Sequence, residues 1–236
     1  MRIKGTFGSG FQNSINTMNP LKKNIPSLMI STNYAVTFVK NNFPTKYKIL
    51  DVGCGGGEFL VQLKKEGFSL LSATDMDQYF GPKEYGVEFK KVNFCYEKLP
   101  WENNSFDLIT AWEVFEHLEN PHFILHEITR VLKPGGTLII SMPNVFHIIS
   151  RLVFLKTGDF PRWNKKNNHI TVYTKSIFEK IFLKELRLKE VKYFLPEFAY
   201  SIFMKLKSLW KYLPENIWTA HFIIYVLQKP HNEGRD

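Results

Sequence analysis

The chain has 236 residues, of which 44% are hydrophobic and 15% aromatic, and a net charge of +9. That length and apolar content suit one large domain with a packed core and exclude a wholly disordered chain. Residues 151–236 hold 16 Lys and Arg against 8 Asp and Glu, so any basic partner surface is expected in the C-terminal part.

Residues 1–30 mix Gly, Asn, Ser and Pro without periodicity and read as a flexible arm or lid, followed by one domain over 31–236. No long apolar stretch opens the chain, so no secretory leader is expected. The two cysteines, Cys54 and Cys95, fall in segments that read as structured, which points to a reducing, cytoplasmic setting without disulfides. The longest late apolar run, "FIIYVL" at 222–227, is too short to span a bilayer as a helix.

"TNYAVTFVKNNF" reads as a short helix, and "KYKILDVG" as a strand entering the glycine turn "GCGGG". "EFLVQLKKEG" is a helix ending at Gly67, "SLLSATD" a second strand, "VEFKKVNF" a third and "FDLITAW" a fourth. In "NPHFILHEITRVLKPGG", Asn120 caps a helix and Pro121 suits its first turn. Ile124, Leu125, Ile128, Val131 and Leu132 share one face, and "KPGG" stops it. "TLIISMP" is a fifth strand. A helix and long loop follow over about 144–170, and then helix, strand, helix and strand complete the chain. The alternation predicts an α/β fold with a mostly parallel sheet and right-handed crossovers. Loops as long as the one after Pro143 are usually functional or mobile.

In such a sheet the ligand lies beyond the carboxyl ends of the strands, which puts the first glycine turn in the site. A dinucleotide fingerprint needs a third glycine where this chain has Glu58, and Asp51 at the turn's threshold would repel a pyrophosphate. Asp75 ends the second strand, about 20 residues on, where its two oxygens can accept both hydroxyls of a ribose. These residues describe a site for a nucleoside that carries positive charge and no phosphate.

"ILDVGCGGGEF" resembles the first motif of the class I S-adenosylmethionine-dependent methyltransferases, and "ATDMD" their second. "LPWENNSFDLITAWEVFEHLENP" and "ITRVLKPGGTLIISMPN" resemble the central stretch of that family, and "NNHITVYTKSIFEKIF" is a weaker echo. The resemblance implies a Rossmann-like, mostly parallel seven-stranded sheet with helices on both faces and a helix-and-loop cap inserted after the fifth strand. It also implies S-adenosyl-L-methionine as cofactor, whose ammonium and sulfonium answer the acid at position 51. Carried over residue by residue, Asp51 faces that positive charge, while Gly53, Cys54, Gly55 and Gly57 let the backbone approach the ligand. Asp75 takes the ribose and Met76 lies against adenine. Asn93 or Phe94 flanks the adenine where many relatives have an acid, and Ala111 and Trp112 close over the methionyl end.

Methyl transfer from a sulfonium asks mainly for positioning and desolvation, and a hydroxyl acceptor also needs its proton removed. Glu113, Glu116 and His117 sit at i, i+3 and i+4, so one helical turn can present all three. Carboxylates with imidazole can hold a divalent ion. This spacing resembles the pattern in ubiquinone-pathway O-methyltransferases and in RNA 3′-terminal 2′-O-methyltransferases, where a further His is needed; His147 or His169 can supply it. The alternative is that the two acids cap and solvate a helix start while His117 packs beside the cofactor. We take no metal here and assign His117, with an ordinary pKa of about 6.5, as general base, with Glu113 and His169 as its companions at the acceptor pocket. Arg162 and Trp163 are expected to fold over the acceptor from the long loop, or to pack on a helix; His122 and His126 are read as structural.

The expected activity is O-methylation of a small-molecule, glycan-linked or lipid-linked acceptor. An RNA methyltransferase and a non-catalytic cofactor-binding domain are the alternatives. In "EFAYSIFMKLKSLWKYL" (197–213), Phe198, Ile202, Leu206, Leu209 and Leu213 form one stripe, with Lys207 and Lys211 pointing away. It reads either as a cap helix or as a peripheral contact with an anionic membrane on the inner membrane surface.

Overall fold

The computed structural model describes residues 26–77, 85–163, 165, 167–195 and 214–231. The stretches 1–25 and 196–213 lie outside the described residues, and with them most of the proposed arm and the whole proposed amphipathic helix.

Seven strands form one sheet in the order β3-β2-β1-β4-β5-β7-β6. They are β1 Ile49–Val52, β2 Leu71–Asp75, β3 Glu88–Lys91, β4 Phe106–Trp112, β5 Leu132–Pro143, β6 Arg187–Phe194 and β7 Phe222–Gln228. The first five are parallel, and β7 runs antiparallel between β5 and β6. The sheet is the Rossmann-like arrangement expected, and the chain order of the last two strands is exchanged in space. β1 is buried along its whole length and β4 nearly so, as expected of strands covered on both faces.

Helices cover both faces. On one side lie α1, Pro26–Asn42, and α2, Glu58–Lys65, where Val39, Leu60 and Leu63 are fully buried against Ile49 and Leu108. On the other lie α3, Pro121–Val131, and α5, Lys175–Phe182, burying Ile124, Ile128, Val131 and Phe182 against Ile109, Ala111 and Ile140. Asn120 caps α3 by accepting from Phe123 N at 3.2 Å, with Pro121 in its first turn, as the spacing predicted. The remaining helix, α4, Ile148–Thr157, forms the first part of the insert after β5, and none of its residues is buried.

Two boundaries differ from the sequence reading. The helix read from residue 32 begins at Pro26, inside the stretch assigned to the arm. The "KPGG" segment ends α3, but it also belongs to β5, where it is looped out of the ladder. Phe106 pairs with Leu132, and Leu108 next pairs with Thr137. Lys229 holds this irregularity closed, its Nζ donating to Thr129 O and Leu132 O at 2.7 Å each.

Between β4 and α3 a single 3₁₀ turn, Phe115–His117, carries part of the candidate site. Its Phe115 is fully buried, with its ring 5.0 Å from that of Phe182, which also packs on Phe178 at 4.8 Å and Tyr173 at 5.8 Å. Replacing Phe182 with Ala leaves a cavity under this turn, and the expected loss is about 3–5 kcal/mol of stability. Denaturant unfolding monitored by circular dichroism checks it.

Candidate active site

β1 and β4 present their carboxyl ends side by side, and Asp51 lies in the middle of that junction. Its carboxylate is 3% exposed, and Thr110 on β4 donates its hydroxyl to Oδ1 at 2.6 Å. Burial pushes Asp51 up to about 7; the Thr110 hydrogen bond opposes that rise and the nearby Asp75 charge adds to it. A buried acid with so little compensation favours a cationic ligand beside it.

The glycine turn begins directly after β1. Gly53, at φ +75°, packs so closely under Val114 that an added Cβ would come within 2.5 Å of that side chain. This glycine therefore answers a protein contact. Gly55 differs: at φ +52° an added Cβ would meet nothing within 4 Å, so the bare backbone borders open space. Gly55 N donates to Asp75 Oδ2 at 2.8 Å and Asp77 N to Asp75 Oδ1 at 3.2 Å. Each carboxylate oxygen still has acceptor capacity for a sugar hydroxyl. Burial raises the Asp75 pKa, opposed by its backbone hydrogen bonds.

Above the turn lies a cavity of about 150 Å³. Asp51, Gly53, Cys54, Gly55 and Gly56 form its floor, and Trp112, Glu113 and Ser141 one wall. Tyr34 from α1, with Phe194, Phe222 and Ile224 from the ends of β6 and β7, completes it. Trp112 Nε1 is buried and has no hydrogen-bond partner among the described residues, and burial keeps Cys54 a thiol. Strongly cationic demand at the floor, bare backbone at Gly55 and an aromatic far wall fit a charged nucleoside cofactor with room for an acceptor.

Glu113 follows β4 with φ +53°, a left-handed conformation that costs a non-glycine residue energy and turns the chain away from the strand. Its N–H donates to Ser141 Oγ at 2.9 Å, and its Oε2 accepts from Arg162 Nη2 at 3.2 Å. Glu116 is fully buried and, among the described residues, neither of its oxygens has a hydrogen-bond partner; Glu113 Oε1 is likewise buried and unpaired among them. Burial, with repulsion from Glu113, pushes Glu116 up to about 8.

Residues 168–173 are strapped across the same turn. Ile170 N and Thr171 N donate to Glu116 O at 2.9 and 3.0 Å, and Tyr173 Oη donates to Phe115 O at 3.1 Å. The strap sets the His169 ring 4.6 Å from that of His117. Ligand atoms of Glu116, His117 and His169 all fall within 4.8 Å of one another. His117 Nδ1 lies 3.2 Å from Asn168 O, which assigns the proton to Nδ1 and leaves Nε2 with its lone pair. His169 Nδ1 is buried and has no hydrogen-bond partner among the described residues, and burial holds that ring down at about 4.

Of the residues expected to bind the cofactor, Asp51, Gly53, Cys54, Gly55 and Trp112 border the cavity. Gly57 lies at the start of α2, and Asp75 and Met76 lie beyond the turn at the end of β2. Asn93 spends its side chain locally, donating to Tyr96 Oη at 2.8 Å and accepting from Cys95 N at 3.0 Å. Phe94 and Ala111 turn their side chains into the core beneath the sheet, which leaves only their backbone available to a ligand. Of the two downstream histidines, His169 joins Glu116 and His117, whereas His147 caps α4. His126 is exposed, 3.6 Å from Glu185. Sequence reasoning missed Thr110, Ser141, Tyr34, Phe194 and Phe222. Strand alternation marks Thr110 as facing Asp51's side of the sheet, but nothing local marks the two phenylalanines.

The sheet order, the glycine turn and the paired acids define a class: Rossmann-like enzymes that use S-adenosylmethionine. The sequence profile of a family described as a methyltransferase domain matches residues 29–185, and the chain belongs to that family. It is 27% identical to a ubiquinone biosynthesis O-methyltransferase of Rickettsia canadensis, over 92% of this chain and 88% of that one. Its likeness to an enzyme of the same name from Glaesserella parasuis is 33%, over 41% of this chain and 45% of that one. Among solved structures, an S-adenosylmethionine-dependent methyltransferase from Mesorhizobium loti superposes with a TM-score of 0.57 at 16% identity, covering 84% of this chain and 100% of that one. A possible histamine N-methyltransferase from Thermotoga maritima gives 0.59 at 19%, covering 85% and 89%. These two likenesses speak to the fold.

Two expectations follow for the floor of the site. Asp75→Ala removes hydrogen bonds worth about 1.5–3 kcal/mol each to a charged acceptor, so S-adenosylmethionine affinity is expected to fall roughly tenfold or more, as calorimetry would show. Asp51 holds a proton in the folded cofactor-free protein that the unfolded chain has already released, so stability falls as pH rises from about 4 to 7. Glu116 adds to the slope up to about 8. Asp51→Asn keeps the Thr110 partner and is expected to flatten the lower part of that slope in urea unfolding between pH 4.5 and 7.5.

Proposed function

We propose that this S-adenosylmethionine-dependent methyltransferase transfers its methyl group to a hydroxyl oxygen, and that Glu113, Glu116, His117 and His169 form the site that removes the hydroxyl's proton. The observation that carries this reading is Glu116, fully buried with both oxygens unpaired beside two imidazoles. A carboxylate in that position is costly unless it meets a proton or a cation. The relatives named as O-methyltransferases of ubiquinone biosynthesis support oxygen as the acceptor atom.

The sequence reading has His117 as general base without a metal, with Glu113 and His169 as its companions. The geometry favours a divalent ion instead, held by Glu116, His117 and His169 with Glu113 close by, because two imidazole nitrogens and a carboxylate are a ligand set for Mn²⁺, Zn²⁺ or Co²⁺. When bound, such an ion lowers the pKa of a hydroxyl. This chain's own residues do the rest. Asn168 O orients His117 through Nδ1, the strap at residues 168–173 seats His169, and Ser141 holds the turned-out backbone of Glu113. Trp112, Phe194 and Phe222 exclude water from the cavity where acceptor and cofactor would meet.

A lipid-linked acceptor is favoured among the three acceptor types by α4. Its Leu152 and Leu155 are 58% and 80% exposed, Ile148 and Phe154 over 40%, and Arg151 and Lys156 lie among them. An exposed apolar helix with basic neighbours suits the surface of an anionic membrane. No described helix is long and apolar enough to cross one.

Methyl transfer from labelled S-adenosylmethionine into fractionated cell extract tests the function. Label is expected in the lipid fraction, lost after treatment with a chelator and restored by Mn²⁺ or Zn²⁺. His169→Ala is expected to abolish Mn²⁺ binding measured by water-proton relaxation. Undiminished transfer after chelation would return the role to His117 as a bare base, and label in RNA would establish the terminal 2′-O-methyltransferase reading instead.

A further inference from the structure

Asp51 stands in a central strand of the sheet, laddered to Ala73 on β2 and to Thr110 on β4, so its backbone is held from both sides. Its side chain is buried and receives one hydrogen bond, from Thr110 to Oδ1. Oδ2 has no hydrogen-bond partner among the described residues, and Asp51 lines the cavity. Of the described residues around that cavity, none is Lys, Arg or His. Two other acids line it, but Glu113 is paired with Arg162, and Glu58 is exposed to solvent, where water weakens its field. Asp51 is the buried acid of the lining that no protein cation compensates.

A carboxylate so enclosed is stable only against a proton or a cation. Without a ligand it holds a proton at neutral pH and below: burial pushes Asp51 up to about 7, Thr110 opposes the rise and nearby Asp75 adds to it. S-adenosylmethionine brings a sulfonium to this cavity, whereas S-adenosylhomocysteine, the product left after methyl transfer, has a neutral sulfur in the same place. Ribose and ammonium are common to both, so Asp75 and the glycine turn meet the two ligands alike. Charge at sulfur is the large difference between them, and a buried acid is the group most sensitive to it.

We infer that Asp51 tells the methyl-donating cofactor from its demethylated product, holding the first by charge and releasing the second. Asp51 is ionised while it faces the sulfonium, and the proton it held passes to solvent as S-adenosylmethionine binds. When the methyl group moves to the acceptor, the C–S bonding pair stays on sulfur and the positive charge there is gone. Asp51 then takes one proton back from solvent, and the neutral thioether is left without its counter-charge. This cycle runs in the same way whichever atom accepts the methyl group. Proton and cofactor thus oppose one another at one carboxylate, and the coupling is reciprocal: lowering the pH weakens S-adenosylmethionine binding more than S-adenosylhomocysteine binding.

Calorimetric binding of S-adenosylmethionine and S-adenosylhomocysteine to the whole chain tests this role. At pH 7.5 the cofactor is expected to bind about tenfold or more tightly than the product. Between pH 7.5 and 5.5 its affinity is expected to fall about tenfold or more relative to that of the product. Titrations at pH 6 in phosphate and in imidazole buffer, whose ionisation enthalpies differ, count the protons exchanged. About one proton is expected to be released with S-adenosylmethionine and clearly fewer with S-adenosylhomocysteine. Asp51→Asn keeps an oxygen for Thr110 and is expected to remove both the proton release and the preference, while S-adenosylhomocysteine still binds. Equal affinity of the unaltered protein for the two ligands at pH 7.5, or equal proton release with both, overturns the inference. So does a preference that survives Asp51→Asn, which is the result expected if Asp51 serves only to bridge β1 and β4 through Thr110. The pH series and the proton count use the unaltered protein, so they decide the matter even where Asp51→Asn fails to fold.

Discussion

A buried carboxylate needs a proton or a cation, and the carboxyl ends of β1 and β4 bury two of them, Asp51 and Glu116, with a third, Glu113, partly buried beside them. Among the described residues Arg162 is the single cation hydrogen-bonded to any of the three. The protein therefore carries an electrostatic demand at one place in the sheet, and the candidate site is arranged around meeting it. At Asp51 the demand fits the positive charge of S-adenosylmethionine. At Glu116 it fits an ion shared with His117 and His169. At Glu113 it is met in part by an arginine from a loop 49 residues away.

Such a demand persists only where the surrounding structure is rigid enough to enforce it. Glu113 keeps its left-handed backbone because Ser141 on β5 holds its N–H and Val114 packs over Gly53. Glu116 and His117 stay in place because Phe115, the residue before them, is locked among Phe182, Tyr173 and the helix layer. The core on the α3 and α5 side thus serves as the mount for the turn that carries Glu116 and His117. The opposite core, under α1 and α2, carries the glycine turn and Tyr34. The proposed cofactor and acceptor sites meet where the two layers' strands end.

The pattern of elements was legible because it rests on local signals. Asn120-Pro121 starts α3, the run of β-branched residues in "TLIISMP" makes a buried strand, and glycines punctuate both ends of α2. The spacing of Glu113, Glu116 and His117 was legible too, but the expected helical turn is a 3₁₀ turn with Glu113 outside it at positive φ. The three come together through a strained reversal after β4. The choice between His147 and His169 was not legible, since both lie downstream in the insert and both precede an apolar segment. The strap hydrogen-bonded to Glu116 O brings His169 to the cluster, and the capping of α4 takes His147 to His221.

The sequence by itself determined the alternation of strands and helices, the glycine turn, and the acids Asp51 and Asp75 that ask for a cationic nucleoside. Each of those depends on residues within one strand–turn–helix unit, where backbone conformation and side-chain type act over a few positions. Tertiary structure alone decided which distant groups face that unit. Phe194 and Phe222 reach the cavity because β7 inserts antiparallel between β5 and β6. Arg162 reaches Glu113 because the loop after α4 folds back over the sheet. Contacts of that range are set by how the layers pack and close, and no local spacing encodes them.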